Sequence, residues 1–83
     1  MEVRVLFFAR SRELAGASEA TLSLQPGSTT AALMPHLLEQ FPQLSELGTS
    51  FVLSLNQEYL APGEAQPLKA GDEVAVIPPI SGG

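Results

Sequence analysis

Residues 73–80 read EVAVIPPI, a nearly unbroken apolar run with β-branched side chains at Val74, Val76 and Ile77. Such a run reads as a strand, and its near-continuous apolar character supports a place in the middle of a sheet rather than at an edge. Pro78-Pro79 stops it, because proline has no N–H to give a ladder. A last strand that must be central takes its protected place beside the first. The first strand is VRVLFFA (residues 3–9), with Val3, Val5 and Phe7 facing one way and Arg4, Leu6 and Phe8 the other.

The remaining segments fill in around this pair. SRELAGAS reads as a polar loop with Gly16 available for a turn, and EATLSLQPG as a strand closed by Pro26-Gly27. These two strands imply an N-terminal hairpin. STTAALMPHLLEQF is the one helix: Ser28, Thr29 and Thr30 offer capping hydroxyls, and Leu33, Leu37 and Phe41 line an apolar face with Met34 and Leu38. Pro35 is tolerated in a first turn but not deeper, so the helix starts late or is kinked. Pro42 ends it. FVLSLNQEYL divides at Asn56-Gln57 into two short strands. The expected order is β-β-α-β-β-β, an α+β fold in which a mixed sheet of about five strands carries one main helix on one face. It is a single domain over residues 1–83, with residues 78–83 a projecting C-terminal tail.

Composition narrows the chemistry. An 83-residue chain buries only roughly 60% of its unfolded surface, and the 45% hydrophobic content can fill the core it needs. There is no cysteine, which excludes disulfides, thiolate metal sites and cysteine nucleophiles. The net charge is −5. Arg4, Arg10, Arg12 and Lys69 are too few and too scattered to track a phosphate backbone, so nucleic-acid binding is not expected. The N-terminus lacks the pattern of a secretory signal, and no stretch is apolar for long enough to span a bilayer. A cytosolic protein without a membrane partner is expected.

No side-chain constellation looks catalytic. His36 is the single histidine and has no acid pair or cysteine nearby, so no metal site is expected. The serines lack a base for a hydrolase triad, and neither AGAS nor PGST is followed by the lysine of a phosphate loop. What remains is the ending, IPPISGG. Pro78 and Pro79 stiffen the lead by fixing φ, and Ser81, Gly82 and Gly83 make a slim tip that can approach another surface closely. The tip is either a frayed end, or its Gly83 carboxylate is the working group. A carboxylate needs activation before it accepts a nucleophile. Adenylation by a partner with ATP would allow sulfur to give a thiocarboxylate or an amine to give an amide.

The stretches VLFFARSRELAG, NQEY and GDEVAVIPPISGG together resemble the small, sulfur-carrying subunits of molybdopterin synthase, a β-grasp family related in fold to ubiquitin. The resemblance covers nearly the whole chain. It implies that an activating enzyme of the ubiquitin-activating type adenylates Gly83, with ATP consumed by that partner and no cofactor bound by this chain. A sulfurtransferase step then gives the thiocarboxylate. The loaded tail enters the large synthase subunit, in a heterotetramer of two small and two large chains, and gives sulfur to a pterin precursor. This chain would then donate sulfur without being an enzyme on its own. Gly82 and Gly83 would carry the chemistry, while Phe7, Phe8, Ile77, Pro78, Pro79, Ile80 and Ser81 would form the partner-binding tail and patch. A ubiquitin-like protein modifier, or a sulfur carrier for thiamin or transfer-RNA thiolation, would use the same tail.

Overall fold

The computed structural model describes residues 1–48, 51–61 and 63–78. Among the described residues there are five strands: β1 (Glu2–Phe7), β2 (Glu19–Ser23), β3 (Val52–Leu55), β4 (Glu58–Tyr59) and β5 (Glu73–Ile77). There are two α-helices among the described residues, α1 (Ala9–Ala15) and α2 (Leu33–Gln40), and short 3₁₀ segments at Thr30–Ala32 and Pro42–Leu47 flank α2 on either side. The sheet order is β2-β1-β5-β3-β4. The last strand lies beside the first, in parallel, with Val5 opposite Val74 and Phe7 opposite Val76. All other pairings are antiparallel. Residues Glu73–Ile77 of the apolar run thus occupy the centre of the sheet.

Alternation along the central strands sorts the side chains onto two faces. Val3, Val5, Phe7, Val74 and Val76 are buried on one face, in a cluster completed by Leu14 of α1, Leu33 and Leu37 of α2, and Leu44 and Leu47 of the second 3₁₀ segment. Phe7 meets Phe41 edge to face, with ring centroids 5.3 Å apart, an arrangement that the aromatic quadrupole favours. The Pro26-Gly27 turn closes through the Ser28 N–H to the Gln25 carbonyl at 3.1 Å, with Gly27 at φ 88°. Asn56 and Gln57 both have positive φ, 50° and 73°, as a two-residue hairpin of type I′ requires.

Two local expectations change. The SRELAGAS stretch is not a loop: its first part belongs to α1, a seven-residue helix. It buries only Ser11 and Leu14, and it ends at Gly16, whose φ of 71° makes the left-handed C-cap. So short a helix with two inward positions has no apolar repeat to read. The element order therefore gains a helix between the first two strands. The second helix does start late: 3₁₀ geometry covers Thr30–Ala32, and Pro35 falls in the first turn of α2, where the missing N–H would have no intrahelical partner in any case. Pro42 ends α2 but opens the second 3₁₀ segment, which inserts Leu44 and Leu47 three residues apart into the core.

Candidate functional site: the open face of the sheet

The face of the sheet away from the helices is uncovered, and the pairing register determines what it displays. Leu6 lies opposite Ala75, Ala75 opposite Ser54, and Ser54 opposite Tyr59. Small side chains therefore floor the middle of this face, and larger ones stand around them. The result is a shallow groove of about 280 Å³ lined by Leu6, Phe8, Ser54, Tyr59, Ala75 and Ile77, with Gln57 and Glu73 at its polar margin. Four large hydrophobic side chains are exposed among the described residues, and Phe8, Val52 and Tyr59 all belong to this face. Tyr59 is 73% exposed and Phe8 46%. Exposed apolar groups gathered on one surface, rather than scattered, mark an interaction site.

The groove has a charged flank. Arg4 holds Glu19 at 2.8 Å and faces Glu73 at 3.8 Å, linking β2, β1 and β5 across the open face. The hydrogen bond that Arg4 donates to Glu19, and then the charge of Glu19, raise the Arg4 pKa above the ordinary arginine value. Arg10 is engaged by Glu13 at 2.8 Å and Glu46 at 3.2 Å.

Two of the stretches singled out in the sequence meet at one end of the groove. The side chain of Asn56 donates to the Asp72 carboxylate at 3.2 Å and accepts the Glu73 N–H at 3.0 Å. Asp72 also accepts the Lys69 N–H at 2.8 Å. Gly71, at φ 86°, donates its N–H to the Glu2 carbonyl at 2.8 Å. NQEY and GDEVA are thus two halves of one bracket that sets the start of β5 against both β1 and the β3–β4 hairpin. Backbone needs explain these residue types: a positive φ at Gly71, and side chains at Asn56 and Asp72 that satisfy turn N–H groups.

The expected docking residues divide. Phe8 and Ile77 lie on the open face. Phe7 does not: it is 2% exposed and packed against Phe41 on the covered face. Its inclusion in a docking patch is corrected by the strand alternation, which sends Phe7 and Phe8 to opposite sides. Pro78 is buried rather than part of a projecting tail. Pro79, Ile80, Ser81, Gly82 and Gly83 lie outside the described residues. Tyr59, Leu6 and Val52 were not foreseen on this surface. Alternation within β3 could have found Val52, but the facing of a two-residue strand such as β4 follows only from its register. Among the described residues no group of three or more His, Asp or Glu is placed to hold a metal ion, and no helix is long and apolar enough to cross a membrane.

A five-stranded mixed sheet, with the chain's last strand parallel to its first at the centre and helices on one face, defines a β-grasp protein. The chain belongs to the ThiS family, whose pattern it matches over residues 5–83. It is 46% identical over 83 residues to the molybdopterin synthase sulfur carrier subunit of Chlamydomonas reinhardtii, covering all of both chains. It is 45% identical to the protein of the same name from Arabidopsis thaliana, covering all of this chain and 84% of that one. Among solved structures, it is similar to the small archaeal modifier protein 1 of Methanosarcina acetivorans, with a TM-score of 0.81 and 30% identity over 99% of this chain and 96% of that one.

Proposed function

We propose that this chain is a sulfur carrier in molybdenum cofactor biosynthesis and the small, non-catalytic subunit of a molybdopterin synthase, working in the cytosol. The observation that carries the reading is its end-to-end similarity to relatives bearing that name. In this reading the Gly83 carboxylate attacks the α-phosphorus of ATP in an activating enzyme of the ubiquitin-activating type, and pyrophosphate leaves. A persulfide sulfur on a sulfurtransferase then displaces AMP to give an acyl disulfide, and a thiol reductant cleaves its S–S bond, leaving a thiocarboxylate at Gly83 and the donor sulfur in a new disulfide. The terminal sulfur is negative at neutral pH and acts as a nucleophile without a neighbouring base. Gly82 and Ser81 let the tip enter a narrow site on the large subunit, with two small and two large chains in the assembly.

The open face supplies the docking surface in this reading. Phe8, Ile77 and Tyr59 would pack against the large subunit while β5 directs the following residues toward its active site. Pro79 and Ile80 continue this contact. An acidic chain suits partners whose sites are basic because they bind ATP or a phosphorylated pterin.

The test is the intact mass after incubation with ATP, an activating enzyme and a sulfur donor. The expected product gains the mass of sulfur replacing one oxygen, localised to Gly83. A variant lacking Gly83, or carrying one extra residue after it, stays unmodified while remaining folded. Sulfur transfer by either variant would refute the role of the Gly83 carboxylate. The likeness to an archaeal modifier protein favours a second reading, in which activated Gly83 is joined to lysine amines. Amide-linked adducts in place of the thiocarboxylate would establish that alternative.

A further inference from the structure

Ser11 is fully buried and has no part in the chemistry above, yet its hydroxyl sits where three elements meet. Its Oγ accepts the Phe8 N–H at 3.0 Å. It also lies 2.7 Å from the Phe8 carbonyl and 3.0 Å from the Val76 carbonyl, and its one proton can serve either. The Phe8 N–H reaches the same Val76 carbonyl at the longer distance of 3.3 Å. One hydroxyl therefore ties the end of β1, the start of α1 and the end of β5. Phe8 stands on the open face, and the Val76 carbonyl belongs to the peptide that leads into Ile77 and Pro78. Both residues that Ser11 grips are thus next to, or part of, the surface assigned to docking.

We propose that Ser11 is a positioning residue: its hydroxyl fixes Phe8 relative to the point where the chain leaves β5, so that the face and the exit of the chain present one prearranged surface to the partner. The proposal rests on the functional reading above. Without the hydroxyl, the Val76 carbonyl keeps only the 3.3 Å bond, and the Phe8 N–H must serve it alone. The two parts of the surface would then be ordered on binding rather than before it, and ordering on binding lowers affinity. The saturated rate of sulfur transfer depends on the tip and the partner's pocket, which Ser11 does not touch, so it should stay unchanged.

The experiment compares Ser11→Val with Ser11→Thr, which have the same branching and differ in the hydroxyl. Thr30→Val serves as the control. Thr30 is also buried, and its hydroxyl accepts the Gln66 N–H at 2.9 Å, but it has no contact with Phe8 or Val76. Sulfur transfer by the loaded full-length chain is measured against the concentration of large subunit. Ser11→Val should raise the half-saturating concentration by roughly three- to tenfold at an unchanged saturated rate. Ser11→Thr should restore it, and Thr30→Val should leave it in place.

Amide-nitrogen relaxation of the isolated chain provides a second readout. In Ser11→Val the order parameters at Phe8 and Ile77 should fall from about 0.85 toward the flexible range below about 0.6, with Thr30→Val unaffected at those residues. Equal half-saturation for Ser11→Val and the native chain, or an equal shift in Thr30→Val, overturns the proposal. If the native chain transfers no sulfur, the functional reading fails, and the relaxation result still decides whether Ser11 orders these residues.

Discussion

Phe7 and Phe8 are adjacent in sequence and opposite in role, and separating them tests the division of the sheet into two faces. Phe7 is 2% exposed and contacts the Phe41 ring. Phe7→Ala removes a fully buried aromatic side chain and should cost about 3–5 kcal/mol, counting the cavity left behind. An 83-residue chain at typical values has a total stability of about 4–12 kcal/mol, so this variant retains little margin. Phe8 is 46% exposed and loses about half of a full burial term, about 1–1.5 kcal/mol, when cut to alanine. With a urea dependence of about 1 kcal/mol per molar for so small a chain, the unfolding midpoint should fall by roughly 3–5 M for Phe7→Ala and roughly 1 M for Phe8→Ala. Binding to the large subunit should show the reverse order. Phe8→Ala, if Phe8 is an aromatic anchor, loses about 2 kcal/mol or roughly 30-fold in affinity, whereas the folded fraction of Phe7→Ala binds close to normally. Equal losses of stability in the two variants would refute the two-face reasoning. So would unimpaired binding by Phe8→Ala, for its functional half.

Two further predictions address the margins of the sheet. Asn56→Gly keeps the positive φ of the hairpin while removing the links to Asp72 and Glu73; it should cost about 1–2 kcal/mol and increase hydrogen exchange at the Glu73 amide, which protection measurements will show. The Glu64 carboxylate accepts the Ala61 N–H and then the Gln66 side chain, which lower its pKa below the ordinary 4.5. A depressed folded value means that its contribution to stability is present above the unfolded value and is lost as pH falls through the folded one. Glu64→Gln should therefore flatten the stability–pH curve on its acid side, below about pH 4.5, and leave its slope at neutral pH unchanged. A carboxyl titration of Glu64 at or above the ordinary value would contradict this.

The sheet was legible in the sequence because its signals are local and redundant. Residues 73–77 carry enough β-branched side chains to read as a central strand, and a C-terminal strand in the centre restricts the topology to few choices. The Asn56-Gln57 division and the Pro26-Gly27 turn were equally readable, since both depend on backbone conformations that few residue types favour. What escaped was set by tertiary contact. Seven residues of α1 bury one serine and one leucine, and Ser11 is held by a carbonyl 65 positions away, which no window along the chain can detect. The same holds for Tyr59: β4 is two residues long, so its facing comes from the partner strand. Listing both Phe7 and Phe8 in the docking patch fails for a simpler reason. A pair of adjacent aromatics in a strand must split between the faces, and the choice follows once Val3 and Val5 are placed in the core.

A period of two separates the work of this chain as it separates its side chains. Every second residue of β1 and β5 enters the core, so stability is concentrated in Val3, Val5, Phe7, Val74 and Val76. The intervening positions, Leu6, Phe8, Ala75 and Ile77, contribute less to the core and are available for recognition. Ala75 and Ser54 are the instructive pair. They lie on the open face yet are 7% and 6% exposed, because larger neighbours surround them. Their small side chains are what leave room for the groove between the larger residues around it. The bracket of Asn56, Asp72 and Gly71 at one end of β5, and Ser11 at the other, then hold the central strand at both ends. Under the proposed reading, in which the Gly83 carboxylate is the reacting group, the folded body would contribute position, and these polar contacts are where it would do so.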